Sequence, residues 1–307
     1  MGQKPLPAWP DTWYVVARSS DISCGEVIDG RIATYPFVIF RTQSGELVAL
    51  DAHCPHMGAH LRRGKVVGDK LRCALHHFEI DRDGALRDQN GCANRQGRVW
   101  RVNERFGLVF LFAGLGPPPS LPFTKTDDEY AWSTGRPVVF RTDWRALMSN
   151  GFDFLHMRTI HQRALVSPPE FLNRGDGVIH FNYTTCVLPG GGLSSWAMKR
   201  LAKNRIRVHQ TCYGTIMLVE SNLGKFNSRA VFGVMPEGDK VRVFTAFGTL
   251  RRGMFWRLRL ALTHWFYFAF LRKDYAVVED MRLVVEGVDD PGVRALSEFF
   301  RSLPTLR

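Results

Sequence analysis

The chain is short of cysteine, of acid and of long apolar runs, and each shortage narrows what it can be. Six cysteines in 307 residues are too few for a disulfide-stapled framework. Cys24, Cys92, Cys186 and Cys212 have no framework spacing and read as free thiols in a reducing cytosol. The first ten residues hold Pro5, Pro7 and Pro10 and no apolar run, so a secretory signal is not expected. A membrane-spanning helix needs about 20 mostly uncharged apolar residues. The most aromatic stretch, 251–272, interrupts such a run with Arg257, Arg259 and His264. No flavin or nicotinamide fingerprint is present, so any electron must come from another polypeptide.

The acid deficit is large: 41 Lys and Arg stand against 29 Asp and Glu, a formal net charge of +12. Such a surplus points to an acidic partner surface or a membrane face. Nucleic acid is not expected, because no zinc-knuckle, helix-turn-helix or RNA-binding signature accompanies the charge. Hydrophobic residues make up 45% of the chain, enough for a large core and two domains.

The pairs Cys54-x-His56 and Cys73-x-x-His76 each join one thiolate to one imidazole. Two cysteines on one iron and two histidines on the other fit a 2Fe-2S cluster, and neutral imidazole raises its reduction potential. The rival is structural zinc, which usually pairs like ligands, C-x2-4-C before H-x3-5-H. Mixed pairing in each loop favours the cluster. Pro55 and Gly58 suit a tight first loop, whereas Ala74 in the second lacks that stiffening. His53, His60 and His77 read as neighbouring or surface groups rather than ligands.

Strand-like segments at Trp13–Val16, Phe37–Phe40, Leu47–Leu50 and Leu108–Phe112 predict a small β domain with the cluster loops at its tip. Pro117-Pro118-Pro119 marks a stiff boundary. Beyond it, the pattern predicts a helix over 144–161, strands over 178–187, 208–219, 229–235 and 241–250, and a long helix over 255–288. This is an α+β layout. The aromatic part of the last helix reads first as a cover on the sheet, and second as an amphipathic lip touching a membrane.

A second constellation has the form N-x2-D-x2-H-x4-H, from Asn150 through Asp153 and His156 to His161. Residues five apart lie about 140° around a regular helix, so the two imidazoles converge only if the helix ends between them. Two histidines and a carboxylate make the facial triad of non-haem Fe(II) oxygenases, with positions open for dioxygen. The expected carboxylate is Asp280, with Glu279 and Glu286 as weaker choices.

With both motifs in this order, the chain resembles the catalytic component of a Rieske non-haem iron oxygenase over nearly its whole length. The resemblance implies a Rieske β-sandwich domain (1–116) followed by a helix-grip, START-like catalytic domain (117–307). It places Cys54, His56, Cys73 and His76 on the cluster and His156, His161 and Asp280 on Fe(II). Asp153 matches the carboxylate that links a cluster histidine of one subunit to an iron ligand of the next, which implies a head-to-tail homotrimer. Electrons would come from a ferredoxin or flavin reductase. The stretches Asp51–His60 and Gly64–Asp69 are similar to the cholesterol 7-desaturase and 3-ketosteroid 9α-hydroxylase side of the family. They imply a steroid-like or polycyclic hydrophobic substrate. The alternatives are an aromatic-acid hydroxylase or O-demethylase, marked by a pocket arginine, and a lipid-binding helix-grip protein that needs no metal ligands. Replacing Cys73 with serine is expected to abolish the visible absorption of the oxidised cluster. A full Rieske paramagnetic resonance signal in purified C73S would remove Cys73 from the ligand set.

Overall fold

The structure is a computed structural model, and it describes residues 8–88, 90–91, 93–114, 116–189, 199–200, 204–224, 226–282, 284 and 287–306. Cys92 and Glu286 lie outside the described residues. The chain divides into two compact units, Trp13–Pro118 and Pro119–Thr305, with residues 8–12 belonging to the second. The N-terminal segment joins that unit through the Asp11 amide, which donates to the Pro304 carbonyl at 2.8 Å. Proline-rich sequence alone gives no sign of this pairing.

The first unit holds two antiparallel sheets. Six strands run in the order Trp13–Arg18, Leu108–Phe112, Val99–Arg105, Leu47–Asp51, Tyr35–Arg41 and Val27–Ile32. Leu108–Phe112 is buried at every position, which explains its uninterrupted apolar run. Five short strands, from Lys65–Val67 to Ala93–Gln96, form the smaller sheet. The segment 73–78 connects its second strand, Lys70–Arg72, to its third, Glu79–Ile80. Val38, Phe40, Leu50, Leu61, Leu71 and Leu86 pack together with Cys54 and Cys73 in one buried cluster.

The second unit is built on a nine-stranded antiparallel sheet. Its central strands Ile179–Val187, Ile206–Tyr213, Ile216–Asn222, Asn227–Glu237 and Lys240–Leu250 pair in sequence order. The single strand expected over 208–219 is a hairpin that turns at Gly214. Gly214 takes a left-handed φ of 56°, and a Cβ there would lie 2.4 Å from Thr12 Oγ1. The helix expected over 144–161 is two helices, α1 (Trp144–Asn150) and α2 (Phe154–Thr159). Asp143 and Asp153 are their N-caps, and short polar side chains at such positions stop one helix and start another.

The long helix α3 covers Trp256–Val278 and ends ten residues before the expected limit of Val288. Tyr267, Phe268 and Leu271 pack on the sheet core, as a covering helix should. Its other side leaves Leu258, Leu262 and Trp265 exposed, continuing from exposed Met254 and Phe255. Among the described residues, no helix is long and apolar enough to cross a membrane.

The last helix, α4 (Pro291–Ser302), buries Leu296, Phe299 and Phe300, the last edge-on to Trp144 of α1 at 5.0 Å between ring centroids. Its N-cap Asp290 has two tasks. Oδ1 accepts from the amides of Gly292 (2.8 Å) and Val293 (3.2 Å), while Oδ2 accepts from Phe154 (2.9 Å) and Leu155 (3.4 Å) at the start of α2. One carboxylate thus satisfies orphan donors of two helices. Gly292 is forced by the same approach, since a Cβ there would sit 2.0 Å from the Phe152 carbonyl oxygen. Asp290→Ala is expected to cost about 2 kcal/mol, roughly 1 per lost cap, read as a lower denaturant midpoint for the second unit. A change within a few tenths of a kcal/mol would show that the two caps contribute nothing.

Candidate metal centres and an apolar cavity

In the first unit, two loops share one hydrogen-bond frame. Cys54 N–H donates to the Ala59 carbonyl (2.9 Å) and Gly58 N–H to the Cys54 carbonyl (2.9 Å). Nineteen positions on, Cys73 N–H donates to Phe78 (2.8 Å) and His77 N–H to Cys73 (3.0 Å). The equivalent residues Gly58 and His77 both take left-handed φ, 75° and 61°. His77 is thus the second loop's turn residue, in a conformation that non-glycine residues seldom adopt. This is the role that sequence reading missed, and its i+4 offset from Cys73, matching Gly58 from Cys54, was the available signal.

The loops deliver four donors to one place. Cys54 and Cys73 are buried, and the Nδ1 atoms of His56 and His76 face each other at 3.2 Å. Burial pushes the Cys54 thiol up, while the amides of His56 and Met57 pull it back towards the thiolate. Two soft thiolates and two imidazole nitrogens, with amides aimed at sulfur, are a donor set that a 2Fe-2S cluster fits. Phe78 lies 4.8 Å from the His56 ring and 5.9 Å from His76. His53 and His60 pack on each other at 5.3 Å, and His60 Nδ1 accepts from the Arg62 amide, so both belong to the turn.

In the second unit, α2 ends at Thr159 and Ile160 is its C-cap. Gln162, at φ 53°, reverses the chain just after His161. The helix therefore ends between the two histidines, and their Nε2 atoms meet at 3.1 Å. The carboxylate that joins them is Asp274, not Asp280. Asp274 Oδ1 lies 2.9 Å from His156 Nε2 and 2.8 Å from His161 Nε2, and these three residues form a potential metal-binding group. Asp280 sits past the end of α3 in a left-handed conformation, exposed and held by Arg141 at 2.7 Å. Glu279 accepts from the Arg141 amide. Both acids expected there are thus committed to Arg141.

The spacing of the three atoms decides what they suit. Ligands about 2.1 Å from one ion and at right angles stand about 3.0 Å apart, against about 3.4 Å in a tetrahedron. The observed 2.8–3.1 Å matches three cis positions of an octahedral ion, a facial set with three positions left over. Phe270 of α3 stacks on His161 at 3.6 Å and 7°, which fixes the ring plane. Burial alone would raise the Asp274 carboxyl, but its hydrogen bonds with His156 and His161 hold it below the ordinary value. Burial pushes His161 down, favouring the neutral form that can bind a metal.

Asp153 Oδ1 accepts from the His156 amide at 2.8 Å, so this residue caps the helix that carries His156. The histidines and Asp274 open on a cavity of about 370 Å³. Met148, Met157, Val208, Met217, Phe232 and Val243 are among its mostly apolar lining. Such a volume suits a compact organic ligand. Asp274→Ala is expected to lower bound iron by one ion per chain with the cluster absorption retained, whereas Asp280→Ala should keep all iron. Metal analysis of the two variants decides it, and the reverse pattern would return the carboxylate to Asp280.

The Rieske [2Fe-2S] domain family matches residues 12–102. The chain is 27% identical over 163 residues to the 5,5'-dehydrodivanillate O-demethylase oxygenase subunit of Sphingobium, covering 48% of this chain and 38% of that protein. It is 26% identical over 182 residues to the oxygenase component of 3-ketosteroid-9-alpha-monooxygenase from Rhodococcus rhodochrous, covering 54% and 47%. The matched stretches thus span less than half the length of these relatives. Among solved structures, dicamba monooxygenase superposes with a TM-score of 0.69 at 21% identity, over 95% of this chain and 96% of that one. The oxygenase in a carbazole 1,9a-dioxygenase complex with ferredoxin also gives 0.69, at 18% identity over 96% and 88%. Residues 12–102 thus belong to a Rieske [2Fe-2S] domain, and the chain as a whole shares its fold with these solved oxygenases.

Proposed function

We propose that this chain is the oxygenase component of a Rieske-type monooxygenase. With electrons from a separate ferredoxin or flavin reductase, it uses dioxygen to oxidise a hydrophobic small molecule. The observation that carries the reading is the convergence of His156, His161 and Asp274 on an apolar cavity, in a chain that also presents Cys54, His56, Cys73 and His76. A 2Fe-2S cluster on the four loop residues and Fe(II) on the triad would supply single electrons and dioxygen activation.

The chain's own residues supply placement. Exposed His76, with half-exposed His56 beside it, is where a donor can approach, and the surplus of 12 positive charges favours an acidic one. Asp274 brings the negative charge that a divalent ion needs, and Phe270 holds His161 in register. Asp153 and Asp290 fix α2, and the apolar wall excludes water from the reacting end of the cavity. Asp153 spends Oδ1 on the His156 amide, and among the described residues Oδ2 makes no hydrogen bond. That oxygen is available to the neighbouring subunit's His76 in a head-to-tail homotrimer. The exposed stripe Met254, Phe255, Leu258, Leu262 and Trp265, beside Arg251, Arg252 and Arg257, suits peripheral contact with an anionic membrane.

The similar proteins include a steroid monooxygenase and an aromatic O-demethylase, so a hydrophobic ring system is the common ground. The direct test is oxygen uptake by the purified chain with a surrogate ferredoxin and reductase. A hydrophobic ring compound should stimulate it and be recovered oxidised, and reduction of the cluster without substrate-dependent oxygen use would leave only an electron carrier. Asp153→Asn should keep both metals yet slow cluster reoxidation by orders of magnitude, because an amide lacks the carboxylate's charge and second acceptor. Unchanged reoxidation with full iron would confine Asp153 to helix capping.

A further inference from the structure

The cavity holds a cation with no counter-ion. Arg163 follows His161 by two residues and begins the short strand Arg163–Leu165, which pairs with Ile179–Val187. Arg163 is half-buried, and the atoms packed around its guanidinium make its charge costly there. Among the described residues it makes no ion pair and no hydrogen bond. The face of Phe270 lies below it, 5.4 Å from guanidinium carbon to ring centroid, a contact that offsets only part of the cost. The chain has no Asp or Glu between Asp176 and Glu220, so neither the strand paired with it nor the one beyond brings an acid. Asp274 is the single acid among the cavity-lining residues, and its Oδ1 is already shared by the two histidines.

The surroundings suit an anion. Tyr183 and Tyr267 both line the cavity and both are close enough to Arg163 to interact with it. Arg259 and Lys273 also line the cavity, so its cations outnumber its acid three to one. A half-buried guanidinium is stabilised by a group of opposite charge, and its planar fork matches a carboxylate with two parallel hydrogen bonds. The rest of the wall adds neutral acceptors such as Gln210 and Asn227 but, among the described residues, no second carboxylate.

We infer that Arg163, flanked by Tyr183 and Tyr267, is the anion-recognition residue of the cavity, and that the substrate is a compact apolar ring compound bearing a carboxylate. This rests on the oxygenase reading only in calling the bound molecule a substrate. It sets the acid side of the family's chemistry above a neutral steroid. The carboxylate would anchor one end of the ring system at Arg163, which is two residues from His161, and leave the apolar body against Met217, Phe232 and Val243, with part of it facing the triad. Arg163 touches the substrate in this reading but takes no part in bond making.

The test is equilibrium binding to the full chain, oxidised and without reductase, by titration calorimetry. The probes are benzoate, 1-naphthoate and 9-phenanthrenecarboxylate, each paired with its neutral primary amide. At least one acid should bind about tenfold to a hundredfold more tightly than its amide, the range expected for charge-assisted hydrogen bonds. Arg163→Met, close in shape and apolar, should erase that preference while leaving amide binding, iron content and cluster absorption unchanged. Arg163→Lys should keep part of it. If no acid binds more tightly than its amide, including the case in which no probe binds, the inference is overturned, and this comparison stands even where Arg163→Met does not fold. It is equally overturned if Arg163→Met retains the full preference. Acid preference in a chain that takes up no iron at His156, His161 and Asp274 would overturn the oxygenase reading and leave the anion subsite in place.

Discussion

Everything in the second unit serves one costly placement, a carboxylate inside an apolar wall. Asp274 lies on α3 between Phe270 and Val278, one turn from each, and a charge there is tolerated only with partners in contact. His156 and His161 are those partners, at 2.9 and 2.8 Å. Because the three atoms stand at the mutual distances of right-angled ligands, the arrangement that satisfies the carboxylate is also one that a divalent ion can replace. Sheet and helix are held in register by packing, so the charge does not migrate to solvent.

The two histidines reach Asp274 through a helix that is barely a helix. Six residues cannot sustain α2 by propensity, since so short a segment forms only with tertiary support. That support comes from carboxylates at both sides of its first turn. Asp153 holds the His156 amide and Asp290, 136 residues away in sequence, holds Phe154. Its early end at Thr159 then releases His161 to turn back. In the first unit the solution is different: two loops of one design, each closed by an i+4 bond to its own cysteine, bring thiol and imidazole together without any helix. Local turns can be copied, whereas the His-His-Asp group joins two distant segments, with Asp274 lying 118 and 113 residues from the two histidines.

This contrast explains what could be read from the sequence. Cys54, His56, Cys73 and His76 lie within loops whose hydrogen bonds are local, so their spacing is enough to expect the four side chains to meet. The strands around them were legible because their apolar runs are continuous. His156 and His161 were legible as a pair, with the condition that a helix end between them. Asp274 was passed over because Arg272 and Lys273 precede it and make the stretch look solvated, while Asp280 sits in a similar run closer to the expected helix end. The signal was there: Asp274 is the sole acid in α3, and it falls on the stripe of Tyr267, Phe270, Leu271 and Val278 at helical spacing. Asp290 had no such signal, because its second helix lies elsewhere in the chain. Arg163 stands out among many basic residues only in the fold, where no acid of the described residues pairs with it.

We propose that two separate iron centres are held by these seven side chains. Diffraction data collected on either side of the iron absorption edge from crystals of the full chain measure it directly. One anomalous peak is expected between Cys54, Cys73, His56 and His76, and a second within about 2.1 Å of His156 Nε2, His161 Nε2 and Asp274 Oδ1. A crystal with the first peak and none at the triad, or with the second beside Asp280, would contradict it.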